Sequence, residues 1–267
     1  MLHDFSKDVF DIIIVAGQSN SEGCGIGPLE HPFIQSPEIL MMENDYIIVA
    51  RSGHGEPEKL KNEFTILTAG EKVRGNDIVG NFGLSFAEKY LYNGKLQSDR
   101  KLLLLMAGVG GTSFYAKRWG LEDDLFLRMM EMLKTAMALN KENRLVALLW
   151  HQGESDTQNP DRDVHYKNLT NLVKEVREVS EQDNLPFIAG DFVKNWYNEN
   201  EEICKPIVTA IKDVCNDIGH SAFIETEGLQ SNHEKVGDDD MIHFSREALY
   251  FLGHRYFNAF EDIINLH

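Results

Sequence analysis

The sequence predicts an α/β fold in which a mainly parallel sheet is covered by helices on both faces. Three observations carry this. Six short runs are apolar almost without a break, as strands buried on both sides must be. Longer stretches of helical period lie between them, and strand–helix alternation builds parallel sheets. The composition, 42% hydrophobic and 26% charged over 267 residues, is that of an ordinary globular chain with a substantial core.

The strand candidates are, in order, Asp11–Ala16 (DIIIVA), Tyr46–Ala50 (YIIVA), Lys101–Ala107 (KLLLLMA), Arg144–Trp150 (RLVALLW), Pro186–Asp191 (PFIAGD) and Ser221–Glu225 (SAFIE). Leu121–Leu139 carries apolar residues at helical spacing. Tyr166–Val179 sets Leu169, Leu172, Val173 and Val176 on one stripe, and a last helix opens at the N-cap candidate Ser245. The stretch from Glu22 to Phe82 is rich in Gly, Pro and charge and holds one clear strand. It is expected to be an ordered excursion beside a functional site, within a single domain spanning residues 1–267.

Charge narrows the partners. With 26 Lys+Arg against 43 Asp+Glu, the net charge of −17 disfavours phosphate backbones and anionic lipid surfaces, so neither nucleic acid nor membrane is expected. No apolar run approaches the ~20 residues a bilayer requires. The start MLHDF lacks a basic segment before its apolar run, and Cys24, Cys204 and Cys215 are too few for a disulfide framework. A cytoplasmic location is therefore expected. No coiled-coil heptad or sticky face indicates an oligomer.

Ligands of open α/β sheets sit beyond the carboxyl ends of the strands, so the residues there are the ones to weigh. Gly17-Gln18-Ser19-Asn20 follows the first run, Gly110-Gly111-Thr112-Ser113 follows the third, His151-Gln152-Gly153-Glu154 follows the fourth, and Asp240-Met241-Ile242-His243 precedes the last helix. Ser19 reads as an N-cap or, after the tight turn that Gly17 permits, as a presented nucleophile. Asp240, three residues before His243, can fix one imidazole tautomer and leave the other nitrogen free as a base. Gly110 and Gly111 form either a plain helix-entry turn or a backbone donor for an oxyanion, and Gln152 offers a second donor. Glu154 is either an ion-paired helix-start carboxylate or a support for a catalytic histidine. His151, Glu154, His233, Asp240 and His243 include zinc-ligand types, but their spacing matches no zinc motif. Cys24 reads better as a small apolar residue than as a rival nucleophile.

Taken in order, GQSN, GGTS, WHQGESD and D-x-x-H resemble the SGNH-hydrolase superfamily. Within it they resemble the sialate O-acetylesterase and acetylxylan esterase group, carbohydrate esterase family 6, over about residues 11–260. Asn81 stands where the group's helix start usually has proline. The resemblance implies a three-layer α/β/α sandwich, SGNH/flavodoxin-like, with a central sheet of five to six mainly parallel strands. It implies cofactor-free and metal-free hydrolysis of O-acetyl esters on mono- or oligosaccharides. It further implies that Ser19 is the nucleophile, His243 the base and Asp240 its orienting acid. The oxyanion donors become the Ser19 N–H, an N–H at Gly110 or Gly111, and the Gln152 side chain. Glu154, Gln18, Asn20, His151 and Trp119 become supporting or substrate-binding residues, with Trp119 walling the pocket. A thioesterase or lipid esterase, or a carbohydrate-binding protein without catalysis, are the competing readings.

Overall fold

The run FDIIIVAG is buried along its whole length. In the computed structural model, which describes residues 4–43 and 64–265, it forms the central strand β1 (Phe10–Gly17). The strands that follow are β2 (Ile39–Glu43), β3 (Thr65–Thr68), β4 (Lys72–Arg74), β5 (Asp77–Val79), β6 (Lys101–Met106), β7 (Arg144–His151), β8 (Phe187–Gly190) and β9 (Ser221–Ile224). The helices are α1 (Ser19–Glu22), α2 (Phe82–Tyr92), α3 (Asp124–Leu139), α4 (Arg162–Val179), α5 (Lys194–Glu199), α6 (Glu201–Asp217), α7 (Asn232–Val236) and α8 (Arg246–Asn265).

One seven-stranded sheet runs in the order β3-β2-β6-β1-β7-β8-β9. It is parallel except at its edge, where β3 pairs antiparallel with β2. Strand geometry alternates side chains across the sheet, so the unbroken apolar run of β1 feeds two cores. Ile12 and Ile14 pack in one cluster with Met129 of α3, Leu169 of α4 and Ile211 of α6. Ile13 and Val15 pack in the other with Phe86 of α2 and Phe257 of α8. The result is three layers.

One expectation needs correction. The sheet has seven strands rather than five or six, because the excursion supplies two, β2 and β3. The strand beside β6 is Ile39–Glu43, while the expected strand Tyr46–Ala50 lies outside the described residues. The excursion also forms a hairpin, β4–β5, around Gly75-Asn76. Helix starts follow their caps. Asp161 accepts from the Val164 N–H at 3.0 Å, and the Ser245 hydroxyl accepts from the Ala248 N–H at 3.2 Å.

At the amino ends of the central strands, Asp11 is fully buried and gathers four donors. Arg100 Nε and Arg144 Nε each lie 2.6 Å from Oδ1, while Tyr90 OH is 2.7 Å and Arg144 Nη2 3.0 Å from Oδ2. Burial opposes ionisation there, but the bonds from Arg144, Tyr90 and Arg100 outweigh it and hold the carboxyl below the usual range. This cluster fastens β1, α2 and β7 at the end opposite the glycine-rich turns.

Candidate active site

Beyond β1 the chain must turn sharply into α1, and the local chemistry explains how. Gly17 has φ +127°, and a Cβ there would lie 2.1 Å from the His151 carbonyl oxygen, so no other residue fits. The Ser21 hydroxyl lies 2.8 Å from each of the carbonyl oxygens of Ala16 and His151 and shares its one proton between them, tying the turn to the ends of β1 and β7. Ser19 is thereby placed as the first residue of α1, where its N–H has no intrahelical acceptor.

Ser19 Oγ lies 2.8 Å from His243 Nε2. His243 Nδ1 lies 2.7 and 2.8 Å from the two oxygens of Asp240. An ionised carboxylate only accepts, so the imidazole proton sits on Nδ1 and Nε2 faces the serine as an acceptor. Burial works against the Asp240 charge, but bonds from His243 and Asn232 outweigh it and lower its pKa. Residues 224 positions apart are joined because the loop before α8 folds over the carboxyl end of β1. Asn20 secures that loop. Its amide nitrogen donates to Ile242 O at 3.3 Å and to Glu154 Oε1 at 2.8 Å, and its oxygen accepts from the Phe244 N–H at 3.1 Å. His243 is thus gripped on both sides.

Other expected site residues fall differently. Gln152 was expected to donate to an oxyanion. Its amide nitrogen is instead committed to Asp156 Oδ2 at 2.6 Å and Thr112 O at 3.2 Å, and the side chain is fully buried. Trp119 was expected to wall the pocket. It packs edge-on against Trp150 in the core and donates to Thr112 Oγ1, with no exposed surface. The Gly110 N–H donates to Glu22 Oε2 at 2.8 Å, so of the two glycines Gly111 has the uncommitted N–H among the described residues. Gln18 turns its carbonyl oxygen to the Ser155 N–H at 3.1 Å and joins the turns after β1 and β7. His151 and Glu154 are buried beneath the serine–histidine pair. Burial alone lowers the His151 pKa to about 3, and burial raises that of Glu154 against the bonds that oppose it.

Three residues that the sequence did not single out complete the surroundings. Asn232 donates to Asp240 Oδ2 at 2.9 Å and accepts from the Ile26 N–H at 2.9 Å. It begins α7, whose start has a legible signature: Ser231 and Glu234 form a capping box. Glu22 and Arg74 pair at 2.9 Å, and Arg74 also lies 3.0 Å from Cys24 Sγ, so the β4–β5 hairpin reaches the glycine turn through Glu22. Among the described residues no three His, Cys, Asp or Glu side chains cluster as metal ligands, and no helix is long and apolar enough to cross a membrane.

Residues 9–262 match the family described as carbohydrate esterase, sialic acid-specific acetylesterase. A probable 9-O-acetyl-N-acetylneuraminic acid deacetylase from Escherichia coli strain K12 is 27% identical over 95 residues. That match spans 33% of this chain and only 28% of the relative's length. Among solved structures, NanS superposes with a TM-score of 0.77 at 18% identity, covering 98% of this chain and 99% of that one. A protein from Arabidopsis thaliana gives 0.68 at 18% identity, covering 94% and 98% of the two chains. A carbohydrate acetylesterase from Xanthomonas citri gives 0.65 at 12% identity, covering 96% of this chain and 57% of that one. At these identities the structural likeness speaks for the fold.

Proposed function

Because the chain belongs to the carbohydrate esterase family of sialic acid-specific acetylesterases, we propose that it removes O-acetyl groups from carbohydrates, with Ser19 as nucleophile. The observation that carries this reading is the 2.8 Å approach of His243 Nε2 to Ser19 Oγ, with Asp240 behind the imidazole. As the serine oxygen attacks the acetyl carbonyl, His243 takes its proton, and the Asp240 carboxylate stabilises the imidazolium. The developing oxyanion meets the backbone N–H groups of Ser19 and Gly111. His243 then protonates the departing sugar hydroxyl. An acetyl-enzyme remains, and a water deprotonated by His243 releases acetate.

The family description and the curated relative favour an O-acetylated sialic acid as substrate over acetylated xylan. A small acyl group also suits a nucleophile that is only 6% exposed. Ser19→Ala is expected to lower kcat for p-nitrophenyl acetate by at least ~10³-fold with an unchanged circular-dichroism spectrum. Full turnover by that variant would sink the proposal. Assaying 9-O-acetylated sialic acid beside acetylated xylo-oligosaccharides separates the two substrate classes by kcat/KM.

A further inference from the structure

Glu154 belongs to no step of the reaction above, yet it is buried beside the base, and its hydrogen bonds fix its chemical state. Tyr256 OH lies 2.8 Å from the Trp150 carbonyl oxygen, which can only accept, so the single hydroxyl proton is spent there. Tyr256 is also 3.1 Å from His151 Nδ1, and the hydroxyl has only lone pairs left for that contact. His151 therefore carries its proton on Nδ1, leaving Nε2 bare. Among the described residues that bare nitrogen has no hydrogen-bond partner, and it faces Glu154 Oε1 at 3.8 Å. Glu154 Oε2 likewise has no partner among the described residues and is buried from solvent. An ionised carboxylate here would set negative charge against a lone pair, with one Asn20 N–H as its side-chain donor, in a site without water access. A proton on the carboxyl removes the conflict. The separation of 3.8 Å is too long for the charge-assisted bond that an imidazolium–carboxylate pair would form.

We propose that Glu154 is kept as a neutral carboxylic acid and serves as a positioning residue, anchoring Asn20 so that Asn20 can grip the chain on both sides of His243. Side chains from several elements face Glu154. His151 faces it from β7, Asp156 lies on its own turn, His243 lies in the loop before α8, Tyr256 comes from α8 and Cys204 from α6. A backbone N–H, the Asn20 amide and His243 favour the charged form, and burial, aided by Asp156, outweighs them. Glu154 is then not a second anionic partner of the catalytic histidine. The neutral acid accepts from Asn20 on one side and holds its proton on the other, which an amide of the same shape can imitate.

The inference rests on the esterase reading for its kinetic arm, and a spectroscopic arm is independent of that reading. Glu154→Ala is expected to lose kcat by on the order of 10²-fold with KM little changed, since His243 loses its fixed position. Glu154→Gln is expected to recover all but about fivefold of that loss. The infrared difference spectrum of wild type minus Glu154→Gln at neutral pH is expected to show a protonated-carboxyl C=O band that shifts in D₂O. A Gln variant as impaired as the Ala variant overturns the proposal, as does an Ala variant of full activity or the absence of the carboxyl band. Should Ser19→Ala remain active, the esterase reading fails while the infrared band still decides the state of Glu154. The band and the Gln variant also decide the matter if the Ala variant does not fold.

Discussion

His151 shows how much one residue's environment departs from what its neighbours in sequence suggest. It stands between Trp150 and Gln152 at the end of β7, yet its ring is buried between Phe82, Phe244 and Tyr256, and burial holds it neutral down to about pH 3. In the unfolded chain an ordinary histidine takes up a proton near pH 6.5. Between these values the unfolded state binds more protons, so stability is complete above about pH 6.5 and falls by up to ~1.4 kcal/mol per unit as the pH drops toward 3. Urea midpoints measured from pH 7 to 4 should show this decline, and His151→Gln should flatten it. An equal slope in the variant would assign the decline to other groups. Asn20 illustrates the complementary lesson. Its position beside Ser19 marks it as part of the site, but its contacts with Ile242, Phe244 and Glu154 exist only because distant segments converge.

At the level of elements, the strands with unbroken apolar runs were legible, and those without were not. β1, β6, β7, β8 and β9 fall within a residue or two of where burial on both faces predicts them. β2 has only Ile39, Leu40, Met41 and Met42 before a glutamate, and β3 is Thr-rich and largely exposed, so neither stands out from the polar excursion. The hairpin β4–β5 did have a signal, the Gly75-Asn76 pair between short β-rich runs. What holds the elements together at the far end of the sheet is Asp11. Asp11→Ala leaves Arg100 Nε and Tyr90 OH without their acceptor, while the other Arg100 nitrogens keep the Phe10 and Glu142 carbonyls. It is expected to cost about 2–3 kcal/mol by urea unfolding, with the half-exposed Arg144 contributing little. Because the Asp11 carboxyl is held below the usual range, its contribution is present above about pH 4 and is lost as the pH falls through its lower folded value. A variant as stable as wild type at pH 7 would show that the cluster contributes no net stability.

The whole molecule brings one edge of a parallel sheet, the end of the excursion and the loop before α8 to a single place. The proposed chemistry there uses only Ser, His, Asp and backbone N–H groups, so EDTA treatment is expected to leave the acetylesterase rate unchanged. A large loss restored by zinc would instead assign the rate to a metal-dependent step. Legible in the order of amino acids alone were the α/β class, five strands of the sheet, the two-faced core and the four turns that carry the site's polar residues. These follow from periodicity and from the rule that ligands meet the carboxyl ends of strands. The tertiary structure decided which of those residues face one another: Ser19 with His243, Gln152 with Asp156, Trp119 with Trp150, and Glu22 with the Gly110 N–H. The reason is physical. Local sequence sets backbone geometry and burial, whereas a hydrogen bond between residues far apart in sequence depends on how packed layers place two side chains within about 3 Å.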